Sequence, residues 1–285
     1  MELFIKIFRI VFRIILPYHV EIQKSFENFL LLAPPERWDA EIEFIQGCER
    51  AEKTLDYPVC EDNQMLFYTH GEQVLCVAKG KVSCPMAYTY CDVAASQLKC
   101  YLNTADYPPL QSLGALLQLV PLKWFLSRKG ILLFHASQIV TDSKTVIFTA
   151  PSETGKTTQA RLWSKHRGAE IVCNDRVLVR GMRTCGFPYD GGEPIYNPEE
   201  HGLHAIVCLG QSPRNEVARL RPAAAVARLM ESVLFDAWDP QVRDFAAEQL
   251  LEIVSNIPVY QLNCTPDEGA VICLENQLRK DGVIK

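Results

Sequence analysis

The sequence predicts an α/β fold, a mixed sheet with flanking helices preceded by a smaller β-rich region. Three observations lead there. Residues 144–175, KTVIFTAPSETGKTTQARLWSKHRGAEIVCND, read as a strand, a tight loop, a helix and a second strand. Residues 20–106 carry short runs of β-branched and aromatic residues, punctuated by glycine and polar turns. Beyond residue 220, stretches of helical composition alternate apolar and charged faces. The 285 residues suffice for one large α/β domain or two smaller ones. Pro108-Pro109 marks the expected boundary, with 1–108 as the β-rich region and 109–285 as the sheet-and-helix domain.

At the N-terminus, MELFIKIFRIVFRIILPYHVEI is apolar, but Lys6, Arg9 and Arg13 interrupt every run, so no membrane-spanning segment or signal-peptide core is expected. As a helix, the three basic residues form a rough stripe suited to a membrane surface. As a strand, Phe8, Ile10 and Phe12 share one face, with Arg9 and Arg13 on the other. The density of Ile, Val and Phe ahead of Pro17 favours the strand. Further strands are expected over 64–69, 72–77, 86–90 and 98–101, the first two joined as a hairpin at His70-Gly71. No chemical constellation stands out in this region, and His19 and His70 read as packing or surface residues.

A helix is expected over 110–127, where Leu110, Leu113, Leu117 and Val120 recur at helical spacing. Gly130 then opens a strand, ILLFHASQIV, which turns at Asp142-Ser143 and returns over 145–149. The loop that follows, A-P-S-E-T-G-K-T, fits the phosphate-binding pattern G-x-x-x-x-G-K-[ST], with Ala150 in place of the first glycine. Polyphosphate oxygens need convergent donors, and a loop backbone with the unpaired N–H groups of a helix start supplies them. The expected nucleotide contacts are therefore Ala150, Pro151, Ser152, Glu153, Thr154, Gly155, Lys156, Thr157 and Thr158. Gly155 permits close approach, Lys156 brings a positive charge to the β- and γ-phosphates, and the Thr157 hydroxyl suits Mg²⁺.

Glu153 cuts against this. A carboxylate about 5 Å from a phosphate oxygen is repelled by roughly 3 kcal/mol at an effective dielectric near 20. It is expected to point away from the phosphates or to help hold the metal shell. After the helix, a strand over 170–173 ends on Asn174-Asp175, the strand end where α/β sheets place ligands. There Asp175 suits Mg²⁺ coordination or proton abstraction from an attacking hydroxyl. Arg176 reads equally as a phosphate-neutralising group or a solvated turn residue. His135 can be a packed strand residue or, through the hairpin to the loop strand, a group near the phosphates.

Composition narrows the classes further. Hydrophobic content of 48% and charged content of 22% are ordinary for a globular chain. A net charge of −5 offers no global basic field for nucleic acid or anionic membrane. Eleven cysteines without a C-x-x-C pair read as small reduced core residues of a cytoplasmic protein. His201 and His204 lack a cysteine partner at zinc-site spacing.

Taken together, His135-Ala-Ser, APSETGKTTQARLW and IVCND resemble the HPr kinase/phosphorylase superfamily of P-loop kinases. The likeness is to its small bacterial branch, which includes serine kinases of lasso-peptide and other ribosomal-peptide clusters. That branch is related to ATP-dependent phosphoenolpyruvate carboxykinase. The stretches GFPYDG (186–191), HAIVCLGQSPRNEVARL and IPVYQLNCTPDEGAV also resemble it, so the likeness runs over about 110–271. It implies an HPr-kinase-type core that uses ATP and Mg²⁺ to phosphorylate a serine-type hydroxyl on a protein or peptide. Lys156 and Thr157 then match the phosphate and metal groups, His135 the active-site histidine, and Asp175 the second acid of an Asp-Asp pair. Asn174 stands where the first acid would be. It can still ligate metal, which leaves Thr157, Asn174 and Asp175 as the metal set. No glycine-rich phosphorylase signature is present, so HPr itself and the reverse reaction are not implied. A nucleotide-binding regulator without turnover and a carboxykinase-like enzyme are the alternatives, and a homo-oligomer stays open.

The remaining expected elements are helices over 222–233, 242–255 and 267–280, the last with Thr265 as cap and Pro266 in its first turn. Glu193, Glu199 and Glu200 read as a solvated loop that could face a substrate.

Overall fold

A computed structural model describes residues 1–47, 57–62, 64–80, 84–151, 154–188, 195 and 197–285. The chain is mixed α/β and divides into two compact units, Met1–Arg128 and Lys129–Lys285.

The first unit is a β-rich sheet. Its strands are β1 (Glu2–Ile7), β2 (Ile10–Ile15), β3 (Ala40–Gln46), β4 (Cys60–Glu61), β5 (Met65–His70), β6 (Gln73–Ala78), β7 (Ala87–Asp92) and β8 (Gln97–Leu102). They lie in the order β1-β2-β3-β8-β7-β6-β5-β4, antiparallel except where β3 runs parallel to both β2 and β8. Alternate residues are buried along β2 and β3, the period of a sheet with one covered face. The expected hairpin at Gly71 is present, with His70 opposite Gln73 and Gly71 at φ 61°.

Two expectations change here. The N-terminal stretch is a strand pair, with Ile7 opposite Ile10 and Phe8 in the turn at φ 57°. Phe8 therefore does not share the strand face of Ile10 and Phe12, and no glycine or asparagine marks that turn in the sequence. The helix expected over 110–127 is two pieces after α1 (Lys24–Glu27), namely α2 (Leu113–Leu117) and α3 (Leu122–Arg128). Pro121 separates them because it has no N–H to continue the ladder.

The second unit wraps a mixed sheet in helices. Its strands are β9 (Leu132–Thr141), β10 (Lys144–Thr149), β11 (Glu170–Cys173), β12 (Arg176–Arg180), β13 (Arg183–Gly186), β14 (His201–Gln211), β15 (Glu216–Arg219), β16 (Val233–Leu234) and β17 (Val259–Cys264). Its helices are α4 (Lys156–Arg167), α5 (Pro222–Met230), α6 (Pro240–Asn256) and α7 (Glu268–Lys280). The pairing order is β10-β9-β12-β13-β14-β17-β15, and a direct β10–β14 pairing joins the circuit back on itself. The strands β10, β14 and β17 are mutually parallel, so their carboxyl ends share one edge.

Both faces of this sheet are covered, which explains the unbroken apolar runs in β10 and β14. Ile147, Ile206 and Cys208 pack toward α5 and α6 with Leu229, Ala246 and Leu250. Val146, Phe148 and Val207 pack on the other face with Trp163 of α4 and Leu274 of α7. Trp163 is 1% exposed with its ring 6.5 Å from that of Phe148. A buried Trp→Ala change costs about 3–5 kcal/mol, so this contact fixes how α4 lies on the sheet. The cap expected of Thr265 is not made. Asp267 occupies the cap position of α7, and the Thr265 hydroxyl donates to Asp267 Oδ2 at 2.7 Å.

Candidate active site

The loop between β10 and α4 sits on the edge where the parallel strands end. α4 starts at Lys156 with Gly155 as its cap at φ 108°, ψ 22°, a region open to glycine. Among the described residues, the one atom near a β-carbon built there would be Thr158 Cβ at 3.9 Å, so backbone angle rather than crowding demands glycine. Gly155 provides no side-chain acceptor for the first-turn N–H groups, and that turn holds no acidic residue. A helix start of this kind carries partial positive charge facing outward. At the far end, Gly168 in a left-handed conformation closes α4, with Lys165, His166 and Arg167 in the last turn.

Lys156 is 6% exposed and donates from Nζ to the carbonyls of Ala150 at 3.0 Å and Pro151 at 3.1 Å. Thr154 N–H donates to Pro151 O at 3.4 Å, which tightens the loop further. Ser152 and Glu153 lie outside the described residues, and with them the expectation for the Glu153 carboxylate. Burial pulls the Lys156 ammonium below its usual pKa range, while the Asp175 charge pushes it back up.

β9 is long enough to pair with β10 on one side and with β11 and β12 on the other. That double pairing brings His135 to Asp175. His135 stands opposite Arg176 in the β9–β12 ladder, and the next residue, Ala136, donates its N–H to Asp175 O at 2.9 Å. The backbone of His135 is fixed at both polar groups. Its N–H donates to Ser232 O at 2.9 Å, and its carbonyl accepts from Thr149 Oγ1 at 3.0 Å. The His135 side chain then meets Asp175, with Nε2 3.2 Å from Oδ1. Arg176 opens β12 rather than a turn, and its Nε lies 3.3 Å from Asp175 Oδ2. The His135 hydrogen bond is the largest influence holding the Asp175 carboxyl below the usual range, helped by Arg176 and Lys156 and opposed by burial.

These groups open onto one cavity of about 290 Å³, lined by His135, Gly155, Lys156, Thr157, Thr158, Asn174 and Asp175. Residues from β9, from the link between β11 and β12, and from a helix start thus share one space. Thr157 is half-buried, Thr158 exposed, and Asn174 only 7% exposed. Among the described residues no cluster of three His, Cys, Asp or Glu side chains could cage a metal. Mg²⁺ needs no such cage, because one or two carboxylates, waters and substrate phosphates complete its octahedron. A hydroxyl, an amide and an ionised carboxylate from Thr157, Asn174 and Asp175 fit that role.

A second cavity of about 610 Å³ adjoins the first, sharing Gly155 and Thr158. Its other walls include Gln159, Ser212, Cys264 and Thr265. In the sequence none of these residues stands out as part of a site, and Thr265 reads only as a helix cap. They join the site through the parallel order of β10, β14 and β17, which sends the turns after β14 and β17 to the loop's edge. Elsewhere, Glu200 Oε2 lies 3.5 Å from Arg183 Nε. Glu199 N–H donates to Asn197 Oδ1 at 2.9 Å. Glu193 and residues 189–191 of the GFPYDG stretch lie outside the described residues.

No protein-family model matches the chain, and no curated protein matches it. Among solved structures, the Hpr(Ser) kinase/phosphatase from Coxiella burnetii is similar at 14% identity, covering 53% of this chain and 90% of its own, with a TM-score of 0.28. At that TM-score the likeness does not define the fold of this chain. Among the described residues no helix is long and apolar enough to cross a membrane.

Proposed function

We propose that the second unit is an ATP-dependent kinase that transfers the γ-phosphate to a serine-type hydroxyl on a protein or peptide. The supporting observation is the shared cavity, where the His135–Asp175 pair shares one space with the glycine-capped start of α4 and Lys156. Phosphoryl transfer needs little covalent help from a protein. Positioning and charge stabilisation do most of the catalysis, and this cavity offers both.

In this reading the first-turn amides of α4 and Lys156 hold the β- and γ-phosphates. Lys156 Nζ leaves the Ala150 and Pro151 carbonyls as a phosphate oxygen takes their place. Thr157, Asn174 and Asp175 would hold Mg²⁺, which would supply charge neutralisation for the transferring phosphate. The acceptor oxygen forms its bond to the γ-phosphorus as the bridging oxygen bond breaks, and ADP departs with that electron pair. The acceptor proton passes to the Asp175 carboxylate. His135, held by both backbone bonds, keeps that carboxylate oriented. Because its pKa is lowered, Asp175 is ionised at neutral pH and takes the proton late, as a loose transition state allows.

A second reading, a nucleotide-binding regulator without turnover, is favoured by one observation. Asn174 puts an amide in the cavity where a proton-accepting pair would need a second carboxylate. Transfer of labelled γ-phosphate to serine peptides separates the two. The kinase reading expects transfer, and expects Asp175→Asn to lower its rate by roughly two to four powers of ten. Nucleotide binding with neither transfer nor phosphate release selects the regulator, and undiminished turnover in Asp175→Asn removes that residue from catalysis.

A further inference from the structure

The 290 Å³ cavity lies at the lower edge of the range of small-ligand sites, about 300–1,000 Å³. The adjoining 610 Å³ cavity falls well within that range and begins at Gly155 and Thr158, where the first ends. None of the described residues that line it is Asp, Glu, Lys, Arg or His. Its one thiol, Cys264, is pushed up by burial and so stays protonated near neutral pH. An uncharged lining of amide, hydroxyl, thiol and proline groups suits a neutral polar ring rather than a phosphate.

The walls are tied in place. Asn215 Nδ2 donates to Thr265 Oγ1 at 3.0 Å, and Asn215 Oδ1 accepts from Thr265 N–H at 2.9 Å. Ser212 N–H donates to Cys264 O at 3.2 Å, so the turn after β14 and the loop after β17 form one surface. Gln159, on the buried side of α4, reaches that surface and donates from Nε2 to Cys264 Sγ at 3.3 Å. Gln159 is 3% exposed, and among the described residues its Oε1 has no hydrogen-bond partner. A buried amide oxygen left without a donor is costly. That oxygen is closed to water in this conformation, so a ligand donor reaches it as the Gln159 side chain turns into the cavity it lines.

Resting on the kinase reading, we infer that this second cavity receives the nucleoside of the nucleotide and that Gln159 selects its base. With Nε2 on the Cys264 side, the amide that turns toward the base offers it an acceptor. Adenine carries an exocyclic amine that can donate to it, whereas guanine carries a carbonyl oxygen at the same place, and two acceptors repel. The site therefore prefers ATP to GTP.

The test is calorimetric titration of the full chain with Mg·ATP, Mg·GTP and Mg·tripolyphosphate. Wild type is expected to bind ATP at least about tenfold tighter than GTP or tripolyphosphate. Gln159→Leu should remove the ATP–GTP difference while tripolyphosphate binding stays within about twofold. Ser212→Trp, which fills the cavity from its rim, should weaken ATP about tenfold or more and spare tripolyphosphate. It also keeps the test intact if Gln159→Leu misfolds. Equal binding of ATP and tripolyphosphate, tighter GTP than ATP, or an unaltered ATP preference in Gln159→Leu would overturn the inference. If Lys156→Ala still abolishes tripolyphosphate binding in that case, the phosphate site survives without the nucleoside site. If wild type binds none of the three, both fall.

Discussion

Gly155→Ala probes the start of α4 most sharply. At φ 108°, Gly155 lies about 50° beyond the centre of the left-handed well. Among the described residues an alanine there meets no atom closer than Thr158 Cβ at 3.9 Å, so the penalty is conformational and not steric. Holding an L-residue in so sparse a region costs about 2–3 kcal/mol. Gly168 is the internal control. Its φ of 64° and ψ of 22° sit nearer the well, with open space for a methyl group, so Gly168→Ala should cost only about 1–2 kcal/mol. For a domain of this class each kcal/mol lowers Tm by roughly 2–4 °C. Scanning calorimetry should place Gly155→Ala below Gly168→Ala by a few degrees.

The two variants should part further on ligand. If the chain relieves the Gly155 strain by rotating peptides, the first-turn N–H groups move off the phosphate position. Loss of one charge-assisted hydrogen bond, at about 1.5–3 kcal/mol, weakens Mg·ATP roughly ten- to a hundredfold. Gly168→Ala, at the other end of the helix, should bind as wild type does. Equal stability of Gly155→Ala and wild type, or equal loss of nucleotide affinity in both variants, would refute the reasoning.

The other predictions concern charge and capping. The folded Asp175 carboxyl lies below its unfolded value, so its stabilisation is complete above the usual carboxylate range and disappears as pH falls through the folded value. Denaturant melts should show Asp175→Asn less stable than wild type at pH 7, with the gap closing in strong acid. A gap that persists or widens in acid would contradict the assigned shift. Asp239, 4% exposed, caps α6 by accepting from Gln241 N–H at 2.9 Å and Val242 N–H at 3.4 Å. Asp239→Ala should cost about 0.5–2 kcal/mol of stability while leaving nucleotide affinity unchanged, which paired melts and titrations would check.

Much of the second unit could be read from local chemistry. The turn at Asp142-Ser143 carries positive φ at both residues, and the strands around it fall where the apolar runs on either side put them. Gly155 and Gly168 bracket α4 as a cap glycine and a stop glycine do. What local pattern cannot carry is register across distant strands. The meeting of His135 with Asp175 depends on β12 pairing with β9, residue 176 opposite residue 135, a contact that no nearby sequence encodes. Gln159 hides for a related reason. On α4 it reads as one more helix residue, and it becomes part of a cavity only because β17 ends beside it. In the first unit, Phe8 turns the chain with no turn residue to announce it, because burial of its ring at 3% exposure outweighs the left-handed backbone cost.

The most direct test of a polyphosphate site at the start of α4 is titration of Mg·ATP into wild type and Lys156→Ala. Lys156 Nζ already occupies a carbonyl cradle at 3.0 and 3.1 Å, poised beside the helix start. Wild type should give saturable binding, and Lys156→Ala should lose about ten- to a hundredfold in affinity with its melting transition still cooperative. Binding of equal strength in the two proteins, or none in a well-folded wild type, would contradict the account.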